Sequence, residues 1–182
     1  MSLHRNRMHS LRLALTLCCA LALPPALSQS FSAPNRVDIS PTITTSGQPT
    51  AETLATLGKL GYEVVIYLAP PTVADAIANE RQLVARQGLV YVNLPIRFDA
   101  PSERDLARFA ALMNAFATQK VLVHCQVNFR ASTMVFLYRV IHRKEDPPKA
   151  FESVSRVWSP DAVWQRFITE QLRRSGIDFE PF

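Results

Sequence analysis

Residues 121–133 read Val-Leu-Val-His-Cys-Gln-Val-Asn-Phe-Arg-Ala-Ser-Thr, and this stretch decides the fold. Its first four residues have the apolar, β-branched character of a buried strand, and the residues from Arg130 onward follow a helical pattern. A strand that turns directly into a helix gathers backbone N–H groups and the positive helix end around one loop. The stretch therefore predicts an oxyanion-binding loop between a strand and a helix.

The side chains of this loop favour the same interpretation. Cys125, at its start, would be held as a nucleophilic thiolate by the surrounding N–H groups. Arg130, at its end, can bind two oxygens of a tetrahedral anion. Asn128 is the residue best suited to a positive φ, which a tight loop needs. His124 either influences the thiol or fixes the loop. The predicted substrate-binding residues are His124, Gln126, Val127, Asn128, Phe129, Arg130 and Ser132.

Strand-like and helical stretches alternate on both sides of the loop. Residues 63–68, 89–94 and 120–124 are predicted strands, and 37–40 a short edge strand. This alternation predicts an α/β fold with a parallel sheet of about four to five strands flanked by helices. Reactive groups in such sheets lie beyond the carboxyl ends of the strands, where Cys125 stands. Turns are expected over 41–49. One helix is expected to run from residue 130 until the prolines at 147 and 148 end it. The other expected helices cover residues 50–61, 73–86, 102–116, 149–158 and 161–174.

The first 28 residues have the pattern of a secretory signal peptide. A basic start precedes the apolar run 13–23, two prolines end the run, and Ala26-Leu27-Ser28 supplies a cleavage site. We expect cleavage there, a flexible lead-in over 29–36, and a single domain over 37–182. The expected location is the periplasm, after export across the inner membrane, and no membrane span is expected in the mature chain.

Composition limits the remaining classes of function. The 182 residues are 48% hydrophobic, which suffices for one domain with its own core. The net charge is +5, but residues 1–28 hold three of the 20 basic residues and none of the acidic ones, so the mature chain keeps only +2. We therefore expect no nucleic-acid partner. The pattern shows no metal-ligand spacing, and no cofactor is expected. Cys18 and Cys19 leave with the signal, so Cys125 remains alone and is either a buried structural thiol or a reactive one.

The segment from His124 and Cys125 to Arg130 resembles the signature loop of the cysteine-dependent protein tyrosine phosphatase superfamily, of the dual-specificity type. Residues 46–50 (Ser-Gly-Gln-Pro-Thr) and 64–68 resemble the bacterial phosphatase-like domain found beside β-lactamase-like hydrolases. The resemblance implies a phosphatase-like fold and a phosphatase that forms a cysteinyl-phosphate intermediate, and the signal-peptide pattern predicts that this phosphatase is exported. The resemblance implies a phosphorylated protein or a small phosphoester as substrate.

The resemblance also implies a general acid on a loop before the cysteine. Asp99, 26 residues before Cys125 on the loop after a strand, is predicted to be that acid, although it also fits a simple turn residue. Asp105 and Glu103 are its competitors, and a helix N-terminus explains Asp105 equally well.

One departure leaves two further functions open. Four residues separate Cys125 from Arg130, where the phosphatase pattern has five, and Ala131 follows in place of Ser or Thr. Rhodanese-type sulfurtransferases use the four-residue spacing, so one alternative is a sulfurtransferase that carries a Cys125 persulfide from a sulfane-sulfur donor. The other alternative is a catalytically silent module that binds an oxyanion or a phosphopeptide.

Overall fold

Five strands form one twisted sheet in the computed structural model, which describes residues 30–182. They are β1 (Val37–Ser40), β2 (Ile43–Ser46), β3 (Val64–Tyr67), β4 (Val90–Asn93) and β5 (Val121–His124). Their order across the sheet is β1-β2-β5-β3-β4. The last four in this order are parallel, and β1 pairs antiparallel with β2 at one edge. The predicted α/β fold with a largely parallel sheet is confirmed, whereas the predicted signal peptide over 1–28 lies outside the described residues.

Helices cover both faces of this sheet. They are α1 (Ala51–Leu54), a 3-10 helix (Leu57–Leu60), α2 (Glu80–Ala85), α3 (Glu103–Ala115), α4 (Phe129–Arg143), α5 (Pro147–Ser155) and α6 (Ala162–Arg174). Side chains alternate between the faces along each strand. Val123 therefore packs with α3 to α6 in the larger core, and Leu122 packs with α1 and α2 in the smaller one. Helix α4 lies in the larger core with residues 130–140 all buried. Among the described residues, no helix is long and apolar enough to cross a membrane.

The turns expected over 41–49 are wrong at their centre, because β2 occupies Ile43–Ser46. The segment was predicted as turns because its threonine and serine side chains are polar. In the structure each buried hydroxyl of β2 has a hydrogen-bond partner. Tyr62 Oη donates to Thr44 Oγ1 at 2.7 Å, and Asn128 Nδ2 donates to Thr45 Oγ1 at 3.1 Å. The β-branched threonines fit a strand once these contacts satisfy them. The chain thereby gains a strand that pairs directly with β5.

Three helix predictions are also wrong in their extent. Only 80–85 of the helix expected over 73–86 is α-helical, and residues 70–79 form a loop of turns. The helix expected over 50–61 begins at the predicted cap Thr50 but splits into α1 and the 3-10 helix, which ends at Gly61 with φ 79°. Helix α4 ends at Arg143, where Lys144 turns left-handed, and the two prolines begin α5 instead.

Candidate active site

The loop 125–128 lies where the central strand β5 ends and α4 begins. β5 is hydrogen-bonded to β2 on one side and to β3 on the other, so its end is fixed from both sides. The backbone N–H of Cys125 donates to the Ser46 carbonyl oxygen at 3.2 Å, which continues the pairing with β2. Cys125 is buried and is the free cysteine of the described chain. The predicted position beyond the carboxyl end of the strand is therefore observed.

Asn128 gives the loop its tight backbone. Its φ is 71° and its ψ is 0°, so the predicted positive φ is present in the structure. The side chain turns away from α4: its Nδ2 donates to the Asn35 carbonyl oxygen at 2.5 Å and to Thr45 Oγ1 at 3.1 Å. Helix α4 consequently has no side chain capping its first turn and no acidic residue there. Its first N–H groups remain available to an anion.

The segments around Gly47 and Asn35 hold the loop in place through hydrogen bonds to its backbone. The Gln48 N–H donates to the Gln126 carbonyl oxygen at 2.9 Å, and the Gly47 N–H donates to the Pro34 carbonyl oxygen at 2.7 Å. Asn35 Nδ2 donates to the Val127 carbonyl oxygen at 3.0 Å. A Cβ on Gly47 would lie 2.7 Å from the Gln126 carbonyl oxygen, so this close approach requires glycine. These residues of the predicted lead-in and of the 46–50 segment hold the backbone of the loop.

Arg130 and Cys125 line the same cavity of about 270 Å³. The Arg130 side chain is buried and held at both ends of its fork. One terminal nitrogen donates to the Ile96 carbonyl oxygen at 3.0 Å, and the other donates to Gln126 Oε1 at 2.7 Å. Its Nε is buried and has no acceptor among the described residues. A guanidinium fixed at the edge of this cavity suits a bound oxyanion.

Aromatic side chains form one wall of this cavity. Phe98 and Phe129 both line it, together with Val127. Phe129 stacks on Trp158 with ring centroids 4.3 Å apart, and Phe98 packs against Trp158 at 5.9 Å. The Trp164 indole N–H donates to the Phe98 carbonyl oxygen at 2.9 Å. We call the four residues Phe98, Phe129, Trp158 and Trp164 the aromatic wall. Only Phe129 was among the residues predicted from the sequence.

The structure does not bring Asp99 to the cavity. Its carboxylate pairs with the Arg97 guanidinium, at 3.0 Å from Nε and 2.6 Å from a terminal nitrogen, and its side chain is 70% exposed. The hydrogen bond from Arg97 lowers the pKa of Asp99 below its ordinary value. Asp99 is thus a solvated carboxylate beside the site, and its competitors Asp105 and Glu103 lie in the first turn of α3.

Asp75 is a carboxylate that the sequence analysis missed, and it lines the cavity with Cys125 and Arg130. Gln126 Nε2 donates to Asp75 Oδ1 at 2.9 Å. Gln126 thereby links Asp75 to Arg130 through the two ends of one amide. Asp75 was missed because a helix was expected over 73–86. Its position after β3 could have indicated a place near the site, because β3 is the neighbour of β5 in the sheet.

His124, Asn128 and Ser132, all predicted to bind substrate, do not line the cavity. Ser132 is buried in α4, where its hydroxyl donates to the Phe129 carbonyl oxygen at 3.2 Å. The His124 ring is fully buried and stacks on Tyr67 with centroids 4.7 Å apart. Its Nε2 lies 2.7 Å from Oε1 of Glu80, a buried residue that the sequence analysis also missed. Within residues 30–182, no cluster of His, Cys, Asp and Glu could hold a metal ion.

A protein-family model matches residues 26–168, and its description is "DSP-PTPase phosphatase fused to NAD+ Kinase". Several solved structures share the fold. A protein described as a phosphatase of the DUF442 group, from Shewanella putrefaciens CN-32, superposes with a TM-score of 0.71 at 28% identity, covering 78% of this chain and 91% of that one. The active form of Tk-PTP gives 0.62 at 22% identity, covering 78% and 96% respectively.

A third solved structure is the core catalytic domain of the PP-IP phosphatase SIW14 from S. cerevisiae, in complex with citrate. It superposes with a TM-score of 0.64 at 18% identity and covers 81% of this chain and 94% of that one. No curated protein matches the chain significantly.

Proposed function

Because the chain belongs to the family of DSP-PTPase phosphatases fused to NAD+ kinase, and so to the cysteine-based phosphatase superfamily, we propose that it hydrolyses phosphate monoesters through a cysteinyl-phosphate intermediate. The observation that carries this proposal is the cavity that Cys125 and Arg130 share at the uncapped end of α4. A nucleophile, a fixed cation and free N–H groups surround one space there. This set is what in-line transfer of a phosphoryl group requires.

In the first step, the Cys125 thiolate attacks phosphorus and the bond from phosphorus to the leaving oxygen breaks. Arg130 and the N–H groups of 126–130 hold the three equatorial oxygens as negative charge spreads over them. Asp75, as the carboxylic acid, gives its proton to the leaving oxygen. In the second step, a water attacks phosphorus, loses a proton to the Asp75 carboxylate, and displaces the thiolate as inorganic phosphate forms.

Asp75 is the better candidate for the general acid, although Asp99 was predicted from the sequence. Asp75 lines the cavity and accepts a hydrogen bond from Gln126, the residue after the nucleophile. Asp99 faces solvent, pairs with Arg97 and is not among the residues that line the cavity. A general acid must lie within reach of the leaving oxygen, and this requirement favours Asp75.

The lining of the cavity favours a single phosphate on a flat, apolar group. Arg130 is the one cation among its lining residues. A second phosphate would find no cation there. Phe98, Val127 and Phe129 offer apolar contact to an aromatic ring. The substrate that fits this lining best is an aryl phosphate such as a protein phosphotyrosine, which agrees with the phosphatase type predicted from the sequence.

Intact mass spectrometry tests the reaction against sulfur transfer, the alternative that the four-residue spacing leaves open. The reduced protein is mixed briefly with p-nitrophenyl phosphate or with thiosulfate, and Cys125→Ser serves as the control. We expect a phosphoryl adduct of Asp75→Asn, in which hydrolysis of the intermediate is slowed, and release of p-nitrophenol by the wild type. A sulfur adduct with no phosphatase turnover would replace the proposal with sulfur transfer. If the protein turned over neither p-nitrophenyl phosphate nor thiosulfate, the silent binding module would be the remaining function.

We also propose that the chain is exported and acts in the periplasm. The support is the basic start, apolar run and cleavage site within residues 1–28, together with the single thiol that remains after their removal. Expression of the full chain with a C-terminal tag, followed by fractionation and mass analysis, tests it. We expect periplasmic protein that begins at residue 29. Full-length protein in the cytoplasm would contradict the proposal.

A further inference from the structure

Glu80, the first residue of α2, carries a carboxylate that is almost wholly buried. Its side chain is 3% exposed, and it is the one buried acidic residue of the described chain. An ionised carboxylate in such a place is strongly unfavourable unless charged and hydrogen-bonding partners compensate it. The proposed reaction uses Asp75 and leaves Glu80 without a role.

Both Glu80 oxygens have partners that connect it to the active-site loop. Oε1 lies 2.7 Å from Nε2 of His124, the residue before the nucleophile. Oε2 accepts a hydrogen bond at 2.9 Å from Nε2 of Gln48, whose backbone N–H binds the Gln126 carbonyl oxygen. Tyr67 stacks on the far side of the imidazole. Glu80 therefore contacts both segments that fix the start of the loop.

Several charged groups lie around this pair, and among the described residues His124 is the one that can carry a positive charge within hydrogen-bond distance of Glu80. Gln48 is a neutral amide. Tyr67 and Tyr91 face Glu80 from β3 and β4, and burial raises both tyrosine pKa values, with the Glu80 charge raising them further. Both hydroxyls are consequently neutral at physiological pH. The charges of Asp75 and Arg130 act on Tyr67 in opposite directions, and the charge of Arg81 acts on Tyr91. His124 is thus the ionisable ring in direct contact with the Glu80 carboxylate.

We propose that Glu80 is a positioning residue that acts through His124 on the Cys125 nucleophile. Its carboxylate holds the imidazole in one orientation, one residue before Cys125, and stabilises positive charge on that ring. Positive charge at this place stabilises the Cys125 thiolate, and it also stabilises the negative charge of the phosphoryl group that the thiolate attacks. Two apolar side chains would fill the same space at lower free-energy cost, so packing alone does not account for the pair. The role in turnover rests on the proposed phosphatase function, but the effect on the thiol does not.

Glu80→Gln separates charge from structure. The new amide has the size of the carboxylate and can still accept from His124 Nε2. Its NH₂ group can donate to Gln48 Oε1, which is buried and has no partner among the described residues, once the Gln48 amide turns over. We expect a folded variant that melts close to the wild type. The rate of Cys125 alkylation by iodoacetamide at pH 7 should fall about tenfold, as expected when the His124 ring loses the positive charge that Glu80 stabilises.

Turnover of p-nitrophenyl phosphate supplies the second measurement. We expect kcat to fall with the alkylation rate while KM changes little, because Glu80 touches no substrate. Glu170→Gln, an exposed charge change on α6, is the matched control and should leave both rates unchanged. In a His124→Asn background, Glu80→Gln should have no further effect on alkylation, since the proposed coupling runs through the imidazole.

Two outcomes would overturn the proposal. One is a folded Glu80→Gln variant that is alkylated at the wild-type rate. The other is an equal fall in alkylation with and without His124, which would mean that Glu80 acts on the thiol by another route. If the wild type hydrolyses no phosphate ester and Glu80→Gln still slows alkylation through His124, the phosphatase function fails and the positioning role stands.

Discussion

Asn128 and Asp75 show how single residues shape the site. Asn128 takes the left-handed backbone that the loop needs, and its amide ties the loop to the Asn35 carbonyl and to β2. Asp75 reaches the cavity from a loop of turns after β3 and is linked to Arg130 through Gln126. Each of the two residues acts through specific hydrogen bonds and a specific position. Pairs of substitutions that differ in a single property can therefore separate these contributions.

Replacing Asn128 with glycine or with alanine separates backbone strain from hydrogen bonding. Both variants lose the two amide hydrogen bonds, but only alanine must hold φ at 71° with a Cβ. We expect Asn128→Ala to be less stable than Asn128→Gly by roughly 1–2 kcal/mol, the usual penalty for left-handed backbone. Urea unfolding of the two variants measures the difference, and equal stabilities would contradict the strain argument.

Asp75→Asn and Asp99→Asn distinguish the two candidate acids. With p-nitrophenyl phosphate at neutral pH, we expect Asp75→Asn to lower kcat by about a hundredfold, within the range for a lost general acid. Asp99→Asn should change kcat less than twofold, because Asp99 is exposed and bound to Arg97. Steady-state kinetics give both values. The opposite ranking would return the acid role to Asp99.

At the scale of elements, the loop depends on supports from outside α4. The Trp158 side chain follows α5, and Trp164 lies in α6, yet together they hold Phe98 and Phe129 at the cavity. Stacked and tilted aromatic pairs of this kind fix ring orientation as well as burying apolar area. The two C-terminal helices therefore contribute to the substrate side of the site without lining it.

Trp158→Ala tests this contribution of the aromatic wall. The Phe129 ring would lose its stacking partner, so we expect KM for an aryl phosphate to rise several-fold while KM for a small alkyl phosphate stays nearly constant. An aromatic pair is worth about 0.5–1.5 kcal/mol, which sets the size of the effect. Parallel kinetics with phenyl phosphate and with glycerol phosphate make the comparison, and an equal rise for both would exclude a wall that selects aromatic groups.

At the scale of the whole molecule, the strand order creates the site. β2 and β3 flank β5, so the segments that follow all three strands meet at one edge of the sheet. These segments supply Gly47, the 70–79 loop and the Cys125 loop respectively. Cores on both faces hold the sheet rigid beneath them. Binding an anion at this edge should therefore stabilise the entire fold.

Thermal unfolding with inorganic phosphate measures that linkage. A ligand at one hundred times its Kd stabilises a folded protein by about 2.7 kcal/mol, so the midpoint should rise by several degrees with phosphate concentration. The rise should disappear in Arg130→Ala, which removes the cation of the cavity. Sulfate serves as a second oxyanion, and sodium chloride at equal ionic strength is the control. A rise that survives in Arg130→Ala would place the anion elsewhere.

Local chemistry in the sequence determined the central features of the protein. The strand-loop-helix at 121–133, the proposed nucleophile Cys125, its proposed partner Arg130 and the positive φ of Asn128 all depend on residues close together in the chain. The family and the α/β fold follow from the same signals and are confirmed. Short-range backbone preferences and hydrophobic alternation operate over a few residues, so a single sequence displays them.

Only the tertiary structure decided which distant side chains meet this loop. Asp75 and Glu80 lie 51 and 44 residues before their partners Gln126 and His124, and no local pattern links them. β2 was not predicted as a strand because its threonines are polar, and only the folded structure supplies the buried hydrogen-bond partners of their hydroxyls. Asp99 had the expected spacing, yet it turns to Arg97 and solvent. Contacts between segments depend on strand order and loop path, and neither is encoded within a short window of residues.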